Sequence, residues 1–217
     1  MNGQPNTAVS AVALVSAGIG PIGLFTAVAL AGLTLGTDHG YDPARDTVST
    51  FAAFGRTDII ITVGFALSAA SLIATGITFP EASPLSRTLL VGAGTCGVMI
   101  AAFPITTLSA VHLAAAGFGA VLLAMWPASV ASRQADSPFL FRFRINVAAS
   151  MTLAGLLGWV AYEAVDGPLL GVAERVAIFA EISWPFAVVL SLWVSQCRRH
   201  LRPDGRDSTA AIDSGVR

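Results

Sequence analysis

Charge is what this sequence has least of. Only 12% of its 217 residues are Asp, Glu, Lys or Arg, and lysine is absent, so all twelve basic residues are arginine. An ordinary soluble domain is about a quarter charged. With 54% hydrophobic residues and a mean hydropathy of +0.73, this chain reads as a membrane protein with no large soluble domain left over. Cysteine is almost as scarce. Cys96 lies in an apolar run and Cys197 beside an arginine-rich tail, placements too different for a disulfide framework or a metal site, so both read as free thiols. Only His112 among the histidines falls at membrane depth, and haem held between two histidines needs another. Zinc spacings, a P-loop, a dinucleotide fingerprint, G-x-S-x-G and H-E-x-x-H are all missing. The sequence therefore points to no metal and no cofactor. Its arginine-rich stretch RRHLRPDGRD reads as an anchor at the inner face of a membrane rather than a nucleic-acid site.

Apolar length is what the chain has in plenty. Runs bounded by charge or by Pro and Gly predict spans near 8–35, 59–79, 89–103, 108–130, 145–162 and 176–195, and a helix needs roughly 20 residues to cross a bilayer. The runs are continuous rather than alternating, which excludes a β-barrel and predicts an all-α polytopic bundle of six transmembrane helices. The chain then divides into an N-terminal tail 1–7, a transmembrane domain 8–196 and a disordered arginine-rich tail 197–217. MNGQPNTAVS lacks the basic start of a signal peptide, and the run after it is too long for a cleaved one, so the first span is expected to be retained. Gly20-Pro21 predicts a kink or tilt in that span, and Gly32 with Gly36 predicts a close helix approach.

With six spans both termini share one side. The tails and even loops hold Arg87, Arg133, Arg142, Arg144, Arg198, Arg199, Arg202, Arg206 and Arg217, against Arg45, Arg56 and Arg175 on the odd loops. Nine against three puts both termini in the cytoplasm, in a bacterial plasma membrane. Asp38, Asp42, Asp46, Asp58, Glu163, Asp166, Glu174 and Glu181 then fall in the outer half.

Three charges gather in the outer segment GYDPARDTVSTF, residues 40–51. Asp42 before Pro43 is a helix-start pattern, a carboxylate cap followed by a residue with no amide hydrogen to satisfy. It predicts a short interfacial helix near 43–54, with Asp42, Asp46 and Ser49 on one face and Thr47, Phe51 and Phe54 opposite. Two readings stand: a solvated re-entry helix, or the wall of a polar site that also includes Tyr41 and Arg45.

Glu181 is the costliest residue in the sequence. It lies seven residues beyond Glu174 on the same helical stripe, about 10 Å deeper. An ionised carboxylate at that depth costs several kcal/mol unless it is partnered or protonated, so it is read either as a packing hydrogen bond or as a functional acid. His112 stands about one turn into the fourth span, again either a structural hydrogen-bonding group or an acid–base group. Trp159, Glu163, Glu174 and Arg175 complete an outer polar rim, and Trp184 follows Glu181 by three residues. The candidate catalytic groups are Glu181, His112 and Asp46. The candidate substrate-binding groups are Tyr41, Asp42, Arg45, Ser49, Trp159, Glu163, Glu174, Arg175 and Trp184.

Three stretches carry a family likeness: YDPARDTVSTFAAFGRTD, GVMIAAFPITTLSAVHLAAAGF and GPLLGVAERVAIFAEISWPFAVVLSLW. They resemble the outer Y-x-P-x-x-x-x-[IV]-S segment, the F-P…H hairpin and the last span of the domain-of-unknown-function family numbered nine hundred and ninety-eight, prokaryotic membrane proteins of six helices. The resemblance implies six-helix topology and no particular reaction. It marks Tyr41, Pro43, Ser49, Phe103, Pro104, His112, Glu174 and Arg175 as the matching polar-motif positions. Members often carry an Asp after the Phe-Pro and a further His; this chain has Ile105-Thr106-Thr107-Leu108 there.

Two functions follow. One is a membrane enzyme that uses Glu181, His112 and the outer acids for proton transfer on a lipid or isoprenoid entering from the bilayer. Its concrete version is isoprenoid cyclisation by protonation, with Glu181 beside Trp184 in a dry pocket. The other is a non-catalytic accessory subunit, sensor or small transporter whose polar rim binds a partner or an ion.

Overall fold

The computed structural model describes residues 9–35, 40–132 and 137–200. Six helices in it are long and apolar enough to cross a membrane. They are α1 (Ala11–Leu35), α2 (Arg56–Thr78), α3 (Pro84–Ala102), α4 (Ser109–Val130), α5 (Phe143–Asp166) and α6 (Leu170–His200). Two short 3-10 helices join them, Val48–Ala53 before α2 and Phe139–Phe141 before α5. Each helix packs on the next, and α6 returns to close against α1, α4 and α5. The tail 1–7, Gly36, Asp38, Arg133 and residues 201–217 lie outside the described residues.

Small residues let α1 and α2 touch. A Cβ added at Gly20 would come 2.7 Å from Ser71 Oγ, and one added at Gly64 would collide with the Ala27 side chain. Ser71 Oγ then donates to the Ser16 carbonyl at 2.5 Å, and Thr75 Oγ1 to Ser16 Oγ at 3.3 Å, interhelical bonds suited to a medium with no competing water. Gly32 is different from expectation: among the described residues nothing lies within 4 Å of its would-be Cβ, so none of the described helices approaches there.

Several helices run past the apolar runs that predict them. α3 starts at Pro84 because Ser83 accepts from Ser86 N at 3.1 Å, with proline at the first position. α6 continues through Cys197 to His200, so the first residues of the expected disordered tail are helical.

The interfacial helix near 43–54 is replaced by two smaller pieces. Asp42 accepts Ala44 N at 2.9 Å, as a cap should, but only a turn over 42–46 follows before the 3-10 helix Val48–Ala53. The reason lies elsewhere in the chain. Arg175 takes the carbonyls of Pro43 and Asp46, and Tyr41 Oη donates to the carbonyl of Thr47 at 3.2 Å. Those acceptors are the ones an α-helix would use to propagate. The face assignment changes with it: Ser49 and Phe51 both turn into the bundle, at 7% and 2% exposure, while Asp42 and Arg45 stay in solvent.

Candidate functional site

Segment 40–55 caps one end of the bundle, and α6 holds it there. Gly171 N donates to the Ala44 carbonyl at 2.9 Å, using an amide that the first turn of α6 leaves free. A side chain at position 171 would strike the Asp46 carbonyl, so only glycine allows this approach. Arg175 Nη1 donates to the carbonyls of Pro43 (2.7 Å), Asp46 (3.1 Å) and Gly171 (2.7 Å), and Nη2 to Tyr41 Oη. The guanidinium lies 5.7 Å from the centroid of the Tyr41 ring, which in turn stacks on Phe51 at 4.3 Å. Burial is the main reason the Tyr41 hydroxyl is pushed up to about 12; Arg175 opposes it, and Glu174 and Asp46 reinforce it.

Glu174 and Arg175 each hold backbone of the capping segment and form no ion pair with each other. Glu174 Oε2 accepts Val48 N at 2.5 Å, which fixes the start of the 3-10 helix. One residue further on, Ser49 Oγ meets His112 Nε2 at 2.8 Å, and His112 Nδ1 lies 2.9 Å from the Phe103 carbonyl. A carbonyl only accepts, so Nδ1 carries a proton, and in the neutral ring Nε2 then accepts from the Ser49 hydroxyl. Glu163 is also engaged: Oε1 accepts from Trp159 Nε1 at 3.1 Å and Oε2 from Leu169 N at 2.9 Å, which fixes the α5–α6 turn. Asp46 Oδ2 accepts Asp42 N at 2.7 Å. The exposed Arg45–Asp42 pair, at 4.0 Å, contributes under about 1 kcal/mol.

Glu181 is the exception. It is 3% exposed, and its Oε1 is buried without a hydrogen-bond partner. It borders two cavities. One, of about 400 Å³, lies between α4, α5 and α6, with Thr47 and Glu174 toward the capped end and aliphatic side chains such as Leu113, Leu157 and Ile178 around them. The other, of about 100 Å³, lies among α1, α2, α3, α4 and α6, and Ser68 is its other polar side chain.

The larger cavity brings together Glu181, Glu174 and Thr47. The Ser49–His112 pair, Asp42, Asp46 and Tyr41 do not border it. Trp184 is turned elsewhere: its indole donates to Asn146 Oδ1 at 3.2 Å and lines a groove between α5 and α6. Thr47, Asn146 and the Val48 amide were not singled out by sequence. Thr47 carried only an apolar-face assignment, and Asn146 showed no partner until α5 and α6 met. Among the described residues, no three His, Cys, Asp or Glu side chains gather where they would hold a metal ion.

A six-helix polytopic bundle with one capped end and an acid facing an intramembrane cavity is the class this structure defines. The chain belongs to the family described as protein of unknown function (DUF998), which matches residues 19–191 and so spans the segment, the hairpin and most of α6. No curated protein and no solved structure matches it.

Proposed function

We propose that the protein binds an amphiphilic lipid or isoprenoid in the α4–α5–α6 cavity, with Glu181 as the acid–base group that meets the ligand's polar end. One observation carries this: a 97%-buried carboxyl (3% exposed) with an unpartnered oxygen faces a cavity of about 400 Å³ whose lining is aliphatic apart from Glu174 and Thr47. Ligand pockets of this kind run from about 300 to 1,000 Å³, mostly apolar with few polar groups. In lipid such a carboxyl needs a partner, and an amphiphile's head supplies one.

Cyclisation by protonation finds less support than binding does. A carbocation needs aromatic faces around it. Trp184 is committed to Asn146, and the described lining of the large cavity has no aromatic side chain. The arginine count supports an orientation with the capped end outside the cell and both termini in the cytoplasm.

Gly117 gives the test, because it lines the cavity and a Cβ added there meets nothing within 4 Å. Protein purified in mild detergent should carry a co-purifying amphiphile by mass spectrometry. Gly117→Trp should lose it, and Ser183→Trp, in the separate α5–α6 groove, should keep it. Equal loss or equal retention in both variants removes the proposed site.

A further inference from the structure

We propose that the α4–α5–α6 cavity selects an amphiphile with a cationic head, and that this head and a proton compete for the Glu181 carboxylate. This rests on the amphiphile reading above and adds the class of head group.

The observation behind it is the sign of everything that faces the cavity. Its titratable lining, among the described residues, consists of Glu174 and Glu181; no arginine or histidine borders it. The central cavity on the other side of Glu181 adds no titratable group from α1, α2, α3 or α4. Arg175, adjacent in sequence to Glu174, turns away and spends its donors on three carbonyls and Tyr41. Glu174 has one oxygen committed to the Val48 amide. The lone ion pair among the described residues, Arg45–Asp42, is at the surface. Glu181 thus has no counter-ion, and Oε1 has no donor.

In a low-dielectric cavity, charges separated by a few ångströms interact far more strongly than in water. A phosphate or carboxylate head would meet two acids and no cation on the lining. A cationic head meets a carboxylate that lacks a partner. With no such ligand, a proton on Glu181 answers the same need at the cost of charge. Binding is then an exchange: the carboxyl O–H bond breaks, the proton leaves to water, and the carboxylate pairs with the cation, with no covalent bond to the ligand.

The test uses the full chain in lipid nanodiscs, with empty nanodiscs as blank, and three probes of one chain length: dodecyltrimethylammonium, n-dodecanol and dodecyl phosphate. The charge of the ammonium probe is fixed, so any pH dependence belongs to the protein. Calorimetry in two buffers of different ionisation heat should show the ammonium bound at least about tenfold tighter than the other two. Its affinity should rise by up to about tenfold per pH unit where Glu181 titrates, with one proton released per cation. Glu181→Gln should bind the cation at least about tenfold more weakly and with its pH dependence reduced to what Glu174 contributes. Glu181→Asp, which keeps the charge, should retain the dependence and guards against a variant that merely misfolds. Equal binding of dodecanol, tighter binding of dodecyl phosphate, or cation binding unaffected by pH overturns the cationic selectivity while leaving an amphiphile site in place. Failure of all three probes to bind above the blank overturns both.

Discussion

Ser49 and His112 are 63 residues apart in the chain and 2.8 Å apart in space. Both are buried, at 7% and 3% exposure, and the Phe103 carbonyl fixes the imidazole from its other side. The capping segment is thereby tied to α4 by a bond whose loss leaves a buried acceptor without a donor. Ser49→Ala should cost about 1–3 kcal/mol. His112→Phe should cost a similar amount, and the double variant should lose clearly less than the sum, because the two residues share one interaction. Thermal unfolding in nanodiscs measures all three. Additive losses would mean that the pair does not couple the segment to α4.

Tyr41 gives a pH signature of the same cap. Its hydroxyl is pushed from 10.0 up to about 12, chiefly by burial. An unfolded tyrosine loses its proton near the ordinary value while the folded one keeps it, so between about 10 and about 12 the unfolded chain binds fewer protons. The stability linked to Tyr41 is therefore fully present below about 10 and falls as pH rises toward about 12. Tyr162→Phe leaves Tyr41 as the single tyrosine of the two in the chain. Its absorbance titration should then have a midpoint near 12. A midpoint near the ordinary value would place Tyr41 outside the Arg175–Phe51 sandwich.

The membrane helices were legible because long apolar runs have few other uses, and the Asp42-Pro43 cap was legible because its chemistry is local. What could not be read depended on partners far along the chain. Arg87 interrupts the third apolar run and hid the true start of α3. In the fold it donates to the Gly76 and Ile77 carbonyls at 2.9 Å each, capping the end of α2. The interfacial helix was over-extended because a helical wheel assumes free backbone acceptors, and Arg175, 132 residues from Pro43, takes them. The depth and cost of Glu181 were visible in sequence. That it shares a cavity with Glu174 and Thr47, and that His112 does not border that cavity, required the packing of α4, α5 and α6.

Orientation can be checked through a residue at the uncapped end. Cys197 is partly exposed near the end of α6. In a Cys96→Ser background it should resist a membrane-impermeant thiol reagent in intact cells and react after lysis. Labelling in intact cells would reverse the orientation and put the capped end in the cytoplasm.

Occupancy of the α4–α5–α6 cavity can be read from its wall. A diazirine-bearing amino acid of leucine size in place of Leu157, which lines the cavity, illuminated in native membranes, reports what lies within reach of Glu181 without filling the space. The same group at Val165, 85% exposed on α5, reports the surrounding bilayer. The expected result at 157 is an adduct of one amphiphile far out of proportion to its share of the membrane, lost in Glu181→Leu, with bulk lipid at 165. Bulk lipid in the same proportions at both positions, unchanged by Glu181→Leu, would contradict a ligand site at Glu181.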